Sequence, residues 1–273
     1  MRVIFIATLL LFGVVSAEEI LVFLPIATKS HRNVFDPLIT ALAERGHHLT
    51  VVSPHEAKNS SPNITEVVPV KYSEIFEEFQ DPFDQRRKGK VSSVFSSIQF
   101  IYPASEKIIQ TEEFKNLFKK QYDLILYNGF LNYCFDCLLY KLGTPVISII
   151  TMAAPNFITT LIGNRLPSSF VPLPFLNLPD RMTFSQRFLN FFITHAMVIL
   201  SPLGMVPKFE AFNKKFVGDD CPYPDAFPKN LSMIFSNSFF ALTYPRPLLP
   251  DHIEVGGMHC RPAKPLPKVR NLY

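Results

Sequence analysis

The chain has 273 residues, of which 48% are hydrophobic and 18% charged, with a formal net charge of +4 at pH 7. This composition is rich enough in apolar residues for a large packed core, and it excludes an intrinsically disordered chain. So small a net charge, without a basic stripe, gives no reason to expect nucleic-acid binding. Four cysteines are too few for a disulfide scaffold in a chain of this size.

The N-terminus has the pattern of a secretory signal peptide. Arg2 precedes an apolar run over residues 3–15, and small residues follow, so we predict a signal at 1–17 and a mature chain from Glu18. An uncleaved anchor is the alternative, but it needs about 18 to 20 apolar residues, more than this run contains.

Three sequons of the form N-x-S/T fit the same pathway. They begin at Asn59, Asn63 and Asn230 and predict glycosylation on the surface. No later apolar run has spanning length. We therefore expect a glycoprotein of the secretory pathway, in the lumen of the endoplasmic reticulum, without an anchor in these residues.

The first predicted unit is β-α-β. Residues 19–25 form an apolar run typical of a buried parallel strand. A helix capped by Asn33, with Pro37 in its first turn and Gly46 at its end, leads to a second strand at 48–53. Such crossovers are right-handed, which predicts an α/β, doubly wound parallel sheet.

The pattern repeats further along the chain. After a third strand at 65–70 and helical segments between 73 and 120, strands at 122–128 and 145–150 flank a helix at 130–142. These segments extend the same sheet.

The region from residue 155 to 228 is rich in proline and phenylalanine, which excludes long regular elements over much of it. Its one helix candidate is 188–200, either a core helix or one that lies against a membrane surface. Two final strands are predicted at 232–236 and 252–255.

The cysteines leave pairing open. Cys134 and Cys137 are spaced as C-x-x-C, but they lie in an apolar segment, which favours buried helical cysteines over a redox pair. Cys221 and Cys260 are candidates to pair with each other.

Four stretches in order carry a resemblance to a known family: the Ser-His segment before ERGH and TVVSP, then YDLILYN, PVISI and TYPRPLLPDHIEVGGMH. From Glu18 to Pro267 the chain resembles the N-terminal lobe of animal UDP-glycosyltransferases, the UDP-glucuronosyltransferase family, in an insect-like form. The resemblance implies the N-terminal Rossmann-like lobe of a GT-B glycosyltransferase at 18–257. Residues 258–273 would begin the interlobe linker, with the donor lobe and membrane anchor absent.

The family resemblance also implies a reaction. Its members transfer a hexosyl group, with inversion, from a UDP-sugar such as UDP-glucose or UDP-glucuronate to a hydroxyl of a small lipophilic acceptor, a detoxification chemistry. They use no metal or bound cofactor, and the donor binds mainly to the second lobe. We therefore expect a lobe that is weak or inactive alone.

The same resemblance assigns site residues. His31 would be the general base beside Ser30, because a histidine titrates near neutral pH. The orienting aspartate of the family falls at Asn128, which offers an amide without a charge; Asp123 and Asp136 are alternatives for that role. His47, His48 and His55 lack the spacing of a zinc site.

The acceptor pocket would come from aromatic residues, because they bury large areas with a defined shape. The candidates are Phe83, Phe95, Phe157 and Phe170. An alternative function is a non-catalytic binder of lipophilic ligands, or a regulatory partner of a full-length family member. A G-x-S-x-G nucleophile elbow is missing from the sequence, which argues against a secreted α/β hydrolase.

Overall fold

The computed structural model describes residues 17–56, 61–76, 90–174, 176–221 and 230–261, except the side chains of 90–99, 198 and 200–205. The signal peptide prediction lies outside them, apart from Ala17. The strands are β1 (Glu19–Phe23), β2 (His48–Val52), β3 (Ile64–Val67), β4 (Leu124–Asn128), β5 (Val146–Ile150), β6 (Leu231–Ser236) and β7 (His252–Glu254). The α-helices are α1 (Lys29–Glu44), α2 (Tyr72–Phe76), α3 (Lys90–Ile109), α4 (Glu112–Leu117), α5 (Asp136–Leu142), α6 (Asn156–Thr159) and α7 (Phe184–Phe216). Single 3₁₀ turns occupy Tyr133–Phe135 and Thr160–Ile162.

The seven strands form one sheet in the order β3-β2-β1-β4-β5-β6-β7, and every neighbouring pair is parallel. The order runs outward in both directions from β1, which confirms the predicted doubly wound α/β sheet. All seven strands fall within the predicted lobe 18–257.

Both faces of the sheet are buried, which explains the continuous apolar strands. On β1, Leu21 and Phe23 belong to the apolar cluster on one face, while Ile20 and Val22 belong to the cluster on the other. Successive side chains point to opposite faces of a strand, so a strand covered on both sides must be apolar at every position.

The first helix begins four residues before the predicted Asn33 cap, and that prediction is wrong. Thr28 caps α1: its hydroxyl accepts a hydrogen bond from the backbone N–H of His31 at 3.5 Å. The first turn contains no apolar anchor that sequence periodicity could detect. Its buried residue is instead Arg32, which is held by charge.

Arg32 is 6% exposed and donates to Glu66 on β3 at 2.6 and 2.9 Å, and to Asp36 at 2.6 Å. This paired charge ties the first turn of α1 to the edge of the sheet. Pro37 consequently lies in the interior of the helix rather than in its first turn. Gly46, with φ of 93°, follows the end of the helix as predicted.

One disulfide joins Cys137 in α5 to Cys221 beyond the end of α7, across 84 residues. The pairing of Cys221 with Cys260 is therefore wrong, and Cys260 is free and exposed. Cys134 is free and buried, as predicted.

The helix predicted at 188–200 is much longer: α7 spans 33 residues and begins with a capping box between Thr183 and Gln186. Asn190 and Thr194 face inward and are buried. The outward face forms an exposed apolar stripe, made of Phe184, Phe188, Phe191, Phe192 and Ile199, each at least 51% exposed. Among the described residues, no helix has the length and apolarity that a membrane span requires.

Candidate active site

His31 and Asn128 meet at the carboxyl edge of the sheet. Asn128 is the last residue of β4, and His31 lies in the first turn of α1, just after the neighbouring strand β1. The amide Nδ2 of Asn128 is 3.2 Å from Nδ1 of His31. The two residues that the family resemblance selected are therefore in direct contact, although 97 positions separate them.

A small network fixes the amide of Asn128. Its Nδ2 also donates to the carbonyl of Ile26 at 3.3 Å, and Asn132 donates to the same carbonyl at 3.1 Å. Asn132 donates to the Asn128 carbonyl as well, at 3.1 Å. Asn128 is fully buried, and its Oδ1 has no hydrogen-bond partner.

The loop after β4 is held in an unusual conformation beside this network. Leu131 has φ of 68°, in the left-handed region that a branched residue rarely adopts. A side chain at Gly129 would overlap Ser148 on β5, so only glycine fits there. The loop therefore leaves β4 close to β5 and returns Asn132 to the base of the site.

The site contains a neutral histidine. Burial lowers the pKa of His31 to about 4, so the ring is uncharged at pH 7. Neither alternative aspartate orients it. Asp123 accepts from the backbone of Glu19 at the far end of β4, and Asp136 accepts from the Tyr127 hydroxyl at 2.8 Å.

Ser30 does not contact the imidazole in the described structure. Its hydroxyl is exposed and shares a hydrogen bond of 2.8 Å with the capping hydroxyl of Thr28. It is placed to support the start of α1, so a substrate-binding role for Ser30 stays a prediction.

A row of stacked rings lies beyond β2, at the same edge of the sheet, and the sequence analysis missed it. His55 stacks on Tyr72 with centroids 4.7 Å apart, Tyr72 on Phe76 at 4.4 Å, and Phe76 packs near Phe100 at 4.9 Å. The Nε2 of His55 is 3.1 Å from the carbonyl of Ala27. The available signal was the i, i+4 spacing of Tyr72 and Phe76, which brings two rings to one side of a helix.

An apolar cavity of about 230 Å³ opens beyond β5. Its walls come from the residues just after β5, from the 166–174 segment, from Thr194 of α7 and from 242–246. Since β4 separates β5 from β1, and strands lie about 4.8 Å apart, the β5 end is about 10 Å from that of β1.

Of the predicted phenylalanines, the two whose side chains the structure describes, Phe157 and Phe170, do not line this cavity. Phe157 packs, partly buried, against the small cluster of Ile150 and Ile234, and Phe170 is 47% exposed. Phe83 and the side chain of Phe95 lie outside the described residues. A substrate-binding role for these four phenylalanines therefore stays a prediction.

A second histidine lies in a polar cluster between β6 and β7. His252 is 3% exposed; its Nε2 is 2.9 Å from the Ser236 hydroxyl, and its Nδ1 is 3.4 Å from the Asn164 amide. The cluster continues to Ser238, Glu254 and Arg246 at 2.7 to 3.1 Å. Because no side of the ring is open, this cluster is structural.

The glycosylation predictions meet different surroundings. Asn63 and Asn230 are partly exposed, and their side-chain amides donate to backbone carbonyls at the ends of α1 and α5 respectively. Asn59 lies outside the described residues. Glycosylation stays a prediction at all three.

A doubly wound sheet with a polar pair at the carboxyl edge of its central strands defines a ligand-binding α/β lobe of Rossmann-like class. The model of the family described as "UDP-glucoronosyl and UDP-glucosyl transferase" matches residues 19–273. The chain belongs to this family, which confirms the resemblance read from the sequence.

The similar proteins include enzymes from an insect and from mammals. UDP-glucosyltransferase 2 of Dactylopius coccus is 27% identical over 264 residues, or 92% of this chain and 50% of the relative. The 2-hydroxyacylsphingosine 1-beta-galactosyltransferase of Homo sapiens is 28% identical over 94% of this chain and 48% of its own length. The chain thus spans about half the length of the curated relatives it matches.

Solved structures give a more distant likeness. The calicheamicin glycosyltransferase CalG4 is 16% identical with a TM-score of 0.40, covering 88% of this chain and 53% of its own. The spinosyn forosaminyltransferase SpnP is 14% identical with a TM-score of 0.44, covering 88% and 50%.

Proposed function

We propose that this chain is the acceptor-binding lobe of a UDP-glycosyltransferase, which transfers a hexosyl group from a UDP-sugar to a hydroxyl of a small lipophilic acceptor. The observation that carries the proposal is the contact of His31 with Asn128 at the carboxyl edge of β1 and β4. Ligands of doubly wound sheets bind outside that edge, where the strand order reverses. Membership of the family supplies the reaction class.

The reaction needs a proton acceptor next to the attacking hydroxyl. The acceptor oxygen bonds to the anomeric carbon from the face opposite the UDP, the bond to UDP breaks, and the hydroxyl proton passes to a base. His31 is neutral at pH 7 because burial lowers its pKa, so one of its two ring nitrogens carries a lone pair that can accept a proton. Asn128 brings no negative charge to stabilise the imidazolium that would form.

The cavity beyond β5 is the proposed acceptor pocket. Its walls include Met152, Ala154, Leu166 and Leu173, so they favour an apolar ligand, while Thr194 and Arg246 supply polar atoms. A volume of about 230 Å³ fits a compact ring compound such as a phenol. The stacked rings beyond β2 would add an aromatic wall on the other side of His31.

Acceptor binding tests the proposal. We expect calorimetry with a simple phenol to show binding to this chain, and Ala154→Phe, which fills the cavity, to weaken it at least tenfold. Leu249→Ala, which removes a side chain that is 41% exposed and does not line the cavity, is the control and should bind within threefold of wild type. Absence of phenol binding would contradict the acceptor role.

The polypeptide of 273 residues should form no glycoside when incubated with UDP-glucose or UDP-glucuronate and the same phenol. The donor is expected to bind mainly to a second lobe, which this stretch does not include. Appreciable glycoside from this polypeptide would contradict the proposal that the donor binds mainly to a second lobe. A His31→Ala variant would then show whether His31 is the base.

The disulfide supports a secretory location. Disulfides form and persist in oxidising compartments, and Cys137 is buried, so its bridge to Cys221 belongs to the folded lobe. We expect the protein from an intact secretory pathway to carry this bridge and glycans that an endoglycosidase removes. A fully reduced, unglycosylated protein would contradict lumenal folding.

Contact with a membrane surface is the second proposal, carried by the exposed apolar stripe of α7. The stripe borders a groove of about 520 Å³ that Arg165 and Arg187 help to line. The sequence has no acidic residue between positions 181 and 209. Exposed rings flanked by cations fit an anionic lipid surface, where the rings insert and the arginines meet phosphates.

Vesicle binding tests this contact. We expect sedimentation with vesicles that contain phosphatidylserine, weaker sedimentation with phosphatidylcholine alone, and at least a tenfold loss in the Phe188→Ser, Phe192→Ser double variant. Leu242→Ser removes an apolar side chain that does not belong to the stripe and is 87% exposed, more than either phenylalanine, and this variant should bind as wild type does. Equal binding by the double variant would overturn the stripe as the membrane surface.

A further inference from the structure

We infer that Asn128 holds His31 in the tautomer that carries its proton on Nε2, so that the nitrogen opposite Asn128 is a donor rather than a proton acceptor. The hydrogen-bond pattern alone carries this inference. Its consequence for sugar transfer rests on the proposed function.

The argument begins with the carbonyl of Ile26. A carbonyl oxygen only accepts, so the amide group that faces it at 3.3 Å must be the NH₂ of Asn128. The same nitrogen lies 3.2 Å from Nδ1 of His31. Its two hydrogens therefore serve two acceptors, and Nδ1 must offer a lone pair. In a neutral imidazole the proton is then on Nε2.

The reversed amide does not fit this site. Rotation of the side chain by half a turn would bring Oδ1 against the Ile26 oxygen, with no proton between the two, and would leave Asn132 as the remaining described donor to that carbonyl. Two buried oxygens that face each other without a proton between them repel, so this orientation is unfavourable. Asn132 holds both Ile26 and the Asn128 backbone in place, so the strand end cannot shift to relieve the contact.

The unpartnered Oδ1 of Asn128 agrees with this orientation. The oxygen is buried without a hydrogen bond, whereas both hydrogens of Nδ2 are used. The network thus satisfies the two acceptors around the NH₂ group at the expense of the amide oxygen. If Asn128 accepted a hydrogen bond from an Nδ1–H of His31, its Oδ1 would face the ring and its NH₂ group would face away.

The consequence concerns proton uptake. A histidine that gains a proton becomes a donor at both nitrogens, and its Nδ1–H would then point at the NH₂ of Asn128. Asn128 therefore opposes the imidazolium, in addition to its burial. A carboxylate at the same position would accept from Nδ1–H, leave a lone pair on Nε2 and stabilise the cation. Asn128 is thus a positioning residue that restrains His31 as a base.

Nuclear magnetic resonance of histidine-labelled protein tests the tautomer directly, because protonated and unprotonated ring nitrogens have distinct ¹⁵N shifts. The chain supplies two internal references. His55 must carry its proton on Nε2, which faces the Ala27 carbonyl at 3.1 Å. His195 must carry it on Nδ1, which faces the Phe191 carbonyl at 2.7 Å. A His31→Gln variant assigns the signal.

At neutral pH we expect His31 to match His55. In Asn128→Asp it should match His195 instead, with its pKa raised by at least about one unit, while both references stay unchanged. Asn128→Ala, which removes the donor without adding a charge, should give a mixture of tautomers, and it serves if the Asp variant fails to fold.

Two results would overturn the inference: a wild-type His31 that matches His195, or a tautomer that is the same in wild type and both Asn128 variants. Neither depends on acceptor binding or glycoside formation. A chain that binds no phenol would refute the proposed function and leave the tautomer intact, so the two failures are distinguishable.

Discussion

Two histidines in this molecule have an asparagine amide at Nδ1, and the comparison shows what makes one of them available for chemistry. Asn128 contacts His31 at 3.2 Å, and Asn164 contacts His252 at 3.4 Å. Burial lowers the pKa of both rings to about 4. His252 uses its second nitrogen on Ser236, whereas the second nitrogen of His31 has no partner among the described residues.

The neighbours of the two rings differ as well. Around His252, hydroxyls and the Arg246–Glu254 ion pair close a continuous network. Among the described residues, the His31 ring contacts the Asn128 amide and the ring of Phe130 at 6.0 Å, and neither carries a charge. The same histidine–asparagine contact therefore belongs to a closed polar network at His252, whereas at His31 it leaves Nε2 without a partner among the described residues.

The largest effect should come from breaking the His252 cluster at its cation. The Arg246 side chain is 6% exposed and pairs with Glu254 at 3.1 Å. Arg246→Ala leaves a buried carboxylate unpaired and should lower the free energy of unfolding in urea by about 3–5 kcal/mol. Lys115→Ala, which breaks an exposed pair with Glu112, is the control and should leave the unfolding midpoint almost unchanged. Equal midpoints for the two variants would refute the structural role of the cluster.

Replacing each histidine in turn sharpens the comparison. His252→Ala strands the polar groups of Ser236 and Asn164 and should cost about 2–3 kcal/mol in the same experiment. His31→Ala loses one hydrogen bond at a partly exposed position and should cost about 1 kcal/mol or less. If His31→Ala were the more damaging change, His31 would be a structural residue, and its assignment as the reactive histidine would fail.

Replacing Asp136 should have a smaller effect, and it should raise the free energy of unfolding instead of lowering it. Burial raises the pKa of Asp136 to about 8, from an ordinary value of 3.8. Between these values the unfolded chain has lost a proton that the native state keeps, so Asp136 makes stability fall as pH rises from about 4 to about 8. Asp136→Asn keeps an acceptor for the Tyr127 hydroxyl and should add at least about 1 kcal/mol at pH 8.

The measurement is thermal unfolding at several pH values. The Asn variant should melt higher at pH 8, and its advantage should shrink towards pH 4. His31 and His252 have the opposite pH dependence. Because their pKa values are lowered, they make the folded state less stable as pH drops from about 6.5 towards 4. An Asp136→Asn variant with the wild-type slope above pH 5 would show that Asp136 is ionised in the native state.

The sequence predicted the sheet well because its central strands are buried on both faces. The runs ILVF in β1 and LILY in β4 are continuously apolar, so they predict buried strands without any tertiary information. The prediction of where α1 starts was wrong for the converse reason. Its first turn is anchored by Arg32, whose partner Glu66 lies 34 residues away, and no local pattern reports such a pair.

The site shows the same division. The contact of His31 with Asn128 follows from adjacent parallel strands and from the family motifs, so it was within reach of the sequence. The orientation of the amide was not, because it depends on the Ile26 carbonyl and on the return of the loop through Asn132. Likewise, nothing local distinguishes Cys221 as the partner of Cys137 rather than of Cys260.

The bridge between Cys137 and Cys221 closes a ring of chain that contains β5, the lining segment 166–174 and the exposed apolar stripe. Joining residues 84 positions apart lowers the conformational entropy of the unfolded chain, and on a loop-closure argument this stabilises the folded state by about 4–5 kcal/mol. Reduction should therefore open this ring to proteases while β1 and β2, outside it, stay paired. In a reducing compartment we expect the segment inside this ring to unfold before the rest of the lobe. The redox state of the compartment would then control whether the lobe can bind a lipophilic ligand.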